Sequence, residues 1–282
     1  MNNVFIGVVI LVVTLCLMLF YVLWQMGRLP GNRPEKIVKQ TGKKTVVLMG
    51  DSITHGQIGE NYVSILGKRL DQTQYTIVNA GVNSYLAWNL LQRVDEIVSC
   101  KPDYVTILIG TNDANAATSN EEAEDYVKRM KLPQMPTINW FRECLSNLVM
   151  TLQNETSANI ALISIPPIGE KFNHPAFSIS SEYVNVIHEI AYETGVVYLP
   201  LHEEMTHILK EYSGDLTYPF EKAKMGMIIA CTKRYILGNE WNSIGLDAGF
   251  QLHVDYLHLN TKGAHMIVDL IENFINFSGI TP

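Results

Sequence analysis

Val46-Val47-Leu48-Met49-Gly50-Asp51-Ser52-Ile53-Thr54-His55-Gly56 is the stretch on which the fold turns. Four apolar residues run straight into Gly-Asp-Ser, so a buried strand ends here and the chain turns at a serine. Ligands of open α/β sheets bind at the carboxyl ends of the strands, which puts this hydroxyl in a cleft on a rigid support. Outward from it, runs of the same kind recur. Residues 45–49, 75–80, 104–109, 159–165 and 196–199 are short and rich in Val and Ile, as strands buried on both faces require. Between and after them, residues 61–70, 86–99, 137–154, 178–194 and 261–277 carry helical spacing. Leu90, Val94, Ile97 and Val98, for example, share one face, away from Gln92, Arg93, Asp95 and Glu96. This alternation predicts an α/β fold in three layers, a doubly wound and mainly parallel sheet. Two stretches break the pattern. Residues 121–136 read as a surface loop or short helix beside the site. Residues 202–251 form an insertion whose apolar part, 223–237, serves either as extra core or as a lid or acyl-binding wall.

Gly-Asp-Ser alone is a common tripeptide that often marks an ordinary turn. Three further segments give it meaning: Asn79-Ala80-Gly81-Val82-Asn83-Ser84, Ile107-Leu108-Ile109-Gly110-Thr111-Asn112-Asp113 and Asp255-Tyr256-Leu257-His258-Leu259-Asn260. The first two again follow apolar runs, so three strand ends converge on one edge of the sheet, and the last segment supplies an acid and a base. A serine hydroxyl needs a base to take its proton as it attacks. His258 is the candidate. Asp255, three residues earlier in a loop, can reach its Nδ1–H and fix the useful tautomer. The competing reading of Asp-x-x-His is a helix cap, for which Asn260 or Thr261 is better placed. His55 is too near Ser52 in the turn to be the base. Asp51 and Asp113 read as loop-holding acceptors of backbone N–H groups. His253 lies near the catalytic loop without an assigned role.

Together these segments resemble the SGNH, or GDSL-type, hydrolase and esterase family, over residues 45–277. The four letters fall on Ser52, Gly81, Asn112 and His258. The resemblance implies an SGNH or flavodoxin-like fold, and an oxyanion hole made by the backbone N–H of Ser52, the backbone N–H of Gly81 and the side-chain amide of Asn112. The second block departs from the pattern in offering a single glycine in a loose context. The expected activity is that of a serine hydrolase working through an acyl-serine on a small acyl ester, a lysophospholipid or a sugar O-acetyl group, with no metal and no cofactor. The alternatives are a membrane-anchored binding module on the same fold, and an acyl transferase.

The 282 residues suit one large domain, and their 47% hydrophobic content is unevenly spread. From Val4 to Trp24 no residue is charged, which is the length of a membrane-crossing helix. The start Met1-Asn2-Asn3 lacks the basic residues of a signal peptide and no small-residue cleavage site follows, so a retained single-pass anchor is expected. The chain then divides into an anchor at 1–26, a tether at 27–44 and a hydrolase domain at 45–282. Arg28, Arg33, Lys36, Lys39, Lys43 and Lys44 follow the anchor and lean toward a cytoplasmic domain, whereas the resembled family leans toward export. A net charge of −7 argues against nucleic acid as a partner. The four cysteines show no paired spacing for zinc or a disulfide framework. Oligomeric state is not legible.

Overall fold

The computed structural model describes residues 2–211 and 214–278, so the end of the expected domain at 282 lies outside the described residues. Its sheet is built from strands apolar on both faces, which can be satisfied only between two layers of helices. β1 (Lys44–Gly50) pairs in parallel with β2 (Tyr75–Gly81) on one side and β3 (Tyr104–Leu108) on the other. β4 (Asn159–Ile163) and β5 (Val197–Leu199) extend the sheet beyond β3, giving the all-parallel order 2-1-3-4-5. That is the flavodoxin-like doubly wound order, whose crevice opens between β1 and β3, where the winding reverses. Val46, Val47, Leu48 and Met49 are wholly buried at its centre.

The helices run from α1 (Asn2–Gly27) through α2 (Ser52–His55), α3 (Tyr62–Arg69), α4 (Ala87–Leu91), α5 (Val94–Ser99), α6 (Thr111–Ala116) and α7 (Asn120–Met130) to α8 (Ile138–Glu155) and α9 (Pro175–Thr194). After β5 come α10 (Leu201–Leu209), α11 (Ala223–Tyr235), α12 (Trp241–Asp247) and α13 (Thr261–Ser278). α13 packs on α3 and α10 to cover one face of the sheet, while α8 packs on α4, α5 and α9 over the other. The helix read over 86–99 is two helices: the Arg93 N–H bonds to Leu90 O, a tighter turn than the α-helix makes, and the axis breaks there.

The stretch at 121–136 holds a true helix, α7, capped by Ser119 accepting from Glu122 N and stopped by Lys131 in the left-handed region. The insertion divides its work. α10 joins the sheet layer, and α11 and α12 build a separate small core. In that core Ala230, Cys231, Trp241 and Ile244 bury Val22 and Met26, the last turns of α1. The segment between α1 and β1 is no loose tether. Asn32 O accepts from Asn79 N, Asn32 Nδ2 donates to Ile77 O and Pro34 is buried, so the segment runs along edge strand β2 and uses its free hydrogen-bonding groups.

Candidate active site

Three strand ends deliver the site. β1 ends at Gly50, and Asp51 caps α2 by accepting from Ile53 N at 2.9 Å, which places Ser52 as the first residue of the helix. Ser52 Oγ lies 2.9 Å from His258 Nε2. On the far side of the ring, His258 Nδ1 lies 2.9 Å from Asp255 Oδ2 and 3.2 Å from Oδ1. Asp255 Oδ1 also accepts the backbone N–H groups of Leu257 and His258, at 2.7 and 2.8 Å. All three side chains are buried, with the serine the most exposed at 8%. Burial opposes charge on both partners of the His258–Asp255 pair, but each partner's charge and hydrogen bond outweigh it. The imidazole is therefore held above its ordinary pKa of 6.5 and the carboxyl below its ordinary 3.8.

Asn112 sits in α6, directly after β3, and is 5% exposed. Its Oδ1 accepts from Tyr126 Oη at 2.7 Å, which orients the amide. The NH₂ group then faces Tyr85 O at 3.0 Å and, over a long 3.4 Å contact, Asp51 Oδ2. Gly81 stands differently. Its N–H is taken up by Asn79 Oδ1 at 2.9 Å, while Asn79 Nδ2 donates to Thr54 O. A Cβ at Gly81 would lie 2.2 Å from His55 N, so the glycine is what lets α2 rest on the end of β2. Direct hydrogen bonds thus join Ser52, His258 and Asp255, and Asn112 reaches the group through Asp51. Gly81 supports it from below.

Asp51 and Asp113 hold backbone as expected, Asp113 accepting from Ala87 N at 3.2 Å. Burial raises their pKa values to about 6 and about 7. His55 is buried, makes no hydrogen bond to Ser52, and has its pKa lowered by that burial to about 4. His253 has a definite place. Its Nδ1 is 2.8 Å from Glu170 Oε1 and its Nε2 3.0 Å from Pro167 O. Glu170 also accepts the backbone N–H groups of Gln251, Leu252 and His253 at 2.7, 2.7 and 3.0 Å. One carboxylate therefore fixes the strand of chain leading into Asp255. Among the described residues no three His, Cys, Asp or Glu side chains converge as a metal site would require.

Residues 48–266 match the GDSL-like lipase/acylhydrolase family. The chain belongs to that family. No curated protein sequence matches it. Among solved structures it is similar to the acetyl xylan esterase AlAXEase, at 18% identity and a TM-score of 0.57, covering 82% of this chain and 99% of that one. Axe2, an acetylxylan esterase from Geobacillus stearothermophilus, matches at 17% identity and a TM-score of 0.56 over 83% of this chain and 95% of its own. LAE5, an α/β hydrolase enzyme from the metagenome of Lake Arreo, Spain, matches at 17% and 0.57, over 82% and 94%. Likeness at such identities shows the fold, which is SGNH-like; the family match makes the chain an ester-hydrolysing enzyme.

As a GDSL-family enzyme it carries parts that its motifs do not display. Tyr126, in α7, and Glu170, in the loop after β4, touch the site only because the fold brings them there. Asn79 was visible inside the second motif, and an amide two residues before a strand-end glycine was the available signal. Beside His258 and Asp255 opens a cavity of about 580 Å³, walled by the start of α7 (Glu121, Glu122), the start of α9 (His174) and α11 (Lys224, Met227). The apolar stretch of the insertion thus borders the cleft with one face while its other side packs on α1.

Proposed function

We propose that Ser52, His258 and Asp255 hydrolyse an ester through an acyl-serine intermediate. The hydrogen-bonded line from Ser52 Oγ through the imidazole to Asp255 carries the reading. Oγ attacks the carbonyl carbon as Nε2 takes its proton, and the carbonyl π pair moves to oxygen. Collapse of the tetrahedral intermediate expels the alcohol, which leaves with the proton held on Nε2. Water then attacks the acyl-serine, gives its proton to Nε2 and releases the acid, and the proton returns to Oγ. Asp255 keeps the imidazolium stable between these transfers. The N–H of Ser52 meets the oxyanion, and the amide of Asn112 joins it by giving up its long contact to Asp51. Gly81 N–H joins them only by giving up Asn79, so its main part is to seat α2.

Among small esters a sugar O-acetyl group is the substrate this reading favours. The walls of the cleft carry carboxylates and a lysine that can bond hydroxyl groups, and acetyl xylan esterases share the fold. Helix α1 is read as a retained membrane span. Its most apolar 18 residues have a mean hydropathy of 3.0, and its last turns are buried in the domain, so removal would open a core. The full chain should release p-nitrophenol from the acetate ester and take a fluorophosphonate label, and folded Ser52→Ala should do neither. Labelling of Ser52→Ala would remove the serine from this role.

A further inference from the structure

The N-terminal helix meets the domain at a particular place. Ile58, which follows α2, and Val254, in the catalytic loop, pack with Val22 and Met26, and Asn83 Nδ2 donates to Met26 O at 2.8 Å. All three contacts lie at the carboxyl edge of the sheet, where the site opens. Depth along the helix is fixed by length. At 1.5 Å per residue a hydrocarbon core of about 30 Å takes about 20 residues, so a span beginning at Val4 leaves it near Leu23. The exposed rings of Tyr21 and Trp24 mark the same level, since such side chains settle among headgroups. Val22, Gln25 and Met26, buried by the domain, lie there too.

α11 packs on this end of α1, yet its remaining face is bare. Met225 is 61% exposed, Ile229 50% and Ile228 37%; Leu246 of α12 is 53% exposed. Between the two helices this face is grooved by a cavity of about 320 Å³, floored by Ala230, Ile244 and Val254 and edged by Lys222 and by Lys233, which pairs with Asp247 at 3.5 Å. An exposed apolar helix face held at headgroup depth, with Lys222 and the Lys233–Asp247 pair at its rim, can seat in the membrane interface.

We propose that this α11–α12 face is a lipid-contacting surface that seats in the same bilayer α1 crosses. The occupant follows from continuity, because the bare face adjoins the buried α1 contact at the level where the span ends. The inference rests on α1 being a retained span. Since α11 also walls the cleft, the site then opens beside the lipid surface and receives esters presented there.

The full chain in phosphatidylcholine vesicles, with lipids spin-labelled near the headgroup end of the acyl chain, tests it. A fluorophore is placed on native Cys16, exposed on α1, or, in a Cys16→Ser background, on Ile228→Cys, Ile229→Cys or Tyr192→Cys. Tyr192 is 86% exposed near the end of α9, which leads into the start of β5, so it lies at the opposite sheet edge. Retained esterase activity certifies each fold. The expected result is loss of fluorescence at Cys16, Ile228→Cys and Ile229→Cys and none at Tyr192→Cys. Quenching at Cys16 with positions 228 and 229 as bright as 192 would overturn the lipid-contacting face and leave the span intact. An unquenched Cys16 would remove the span, and the inference with it.

Discussion

In the proposed mechanism, two side chains decide how well Ser52 works without touching the reacting atoms. Asp255 holds His258 in its raised range, and the base acts only when neutral. Activity should therefore rise with pH through an apparent pKa above the 6.5 of an ordinary histidine. The pH profile of kcat/KM checks this, and Asp255→Asn should move the acid limb downward while cutting the rate, because the charge that favours the imidazolium is gone. Tyr126 aims the Asn112 amide. Asn112→Ala should cost about 10²–10³ in kcat, the usual loss of one oxyanion donor. Tyr126→Phe deletes only the hydroxyl that orients it, and should lower kcat several-fold with KM little changed, in proportion to about 1 kcal/mol for one hydrogen bond. Equal losses in kcat and KM would instead mean that Tyr126 shapes the cleft. The proposed residues Ser52 and Asn112 were legible because each stands in a short motif at the end of an apolar run, and Asp255 and His258 because an acid three residues before a histidine is a recognisable pair. Tyr126 was not, since nothing local distinguishes a tyrosine in an acidic helix that bonds across the fold from one that lies on the surface.

At the scale of elements, the turn from His253 to Leu259 presents acid and base on one side because its ends are tied. Val254 N donates to His258 O at 2.8 Å, and Glu170 holds the backbone just before it. Replacing Glu170 with glutamine leaves an acceptor but removes the charge that answers three N–H groups and an imidazole. The expected outcome is a fall in kcat with KM nearly unchanged, together with faster hydrogen exchange at residues 251–253. Asn260 closes the turn and starts α13, its Oδ1 accepting from the N–H groups of Lys262 and Gly263 at 3.0 and 3.1 Å. Asn260→Ala should cost about 1–2 kcal/mol in urea unfolding, as loss of a capping side chain does. The five strands were readable to within two residues because burial on both faces leaves long apolar runs. The clamp was hidden because Glu170 and His253 are 83 residues apart and a glutamate in a loop reads as solvated. The docking of residues 28–43 was hidden for a related reason: that segment binds backbone groups of β2 through the carbonyl and side-chain amide of the single residue Asn32, which no periodic pattern records.

For the whole molecule, two buried carboxyls set a pH dependence of stability. Asp51 and Asp113 have folded pKa values of about 6 and about 7, above the ordinary 3.8. Between those limits the folded state binds more protons than the unfolded one, so stability falls as pH rises from about 4 to 7. Asp113→Asn keeps an acceptor for Ala87 N and removes one of the two groups. Its unfolding free energy should decline less over that range, as urea titrations at several pH values would show. The pinned segment sets another global property. A free coil of the length between α1 and β1 would wander about 23 Å from its base. Here Asn32 and Pro34 are fastened to β2, and Val22 and Met26 to α11 and α12. As the membrane span proposed above, the helix is thus a post of fixed height rather than a leash. An enzyme on a leash searches a volume; one on a post patrols a plane, meeting only what drifts along that layer. Its turnover is then governed by how densely ester groups crowd the surface, and much less by their concentration in the surrounding water.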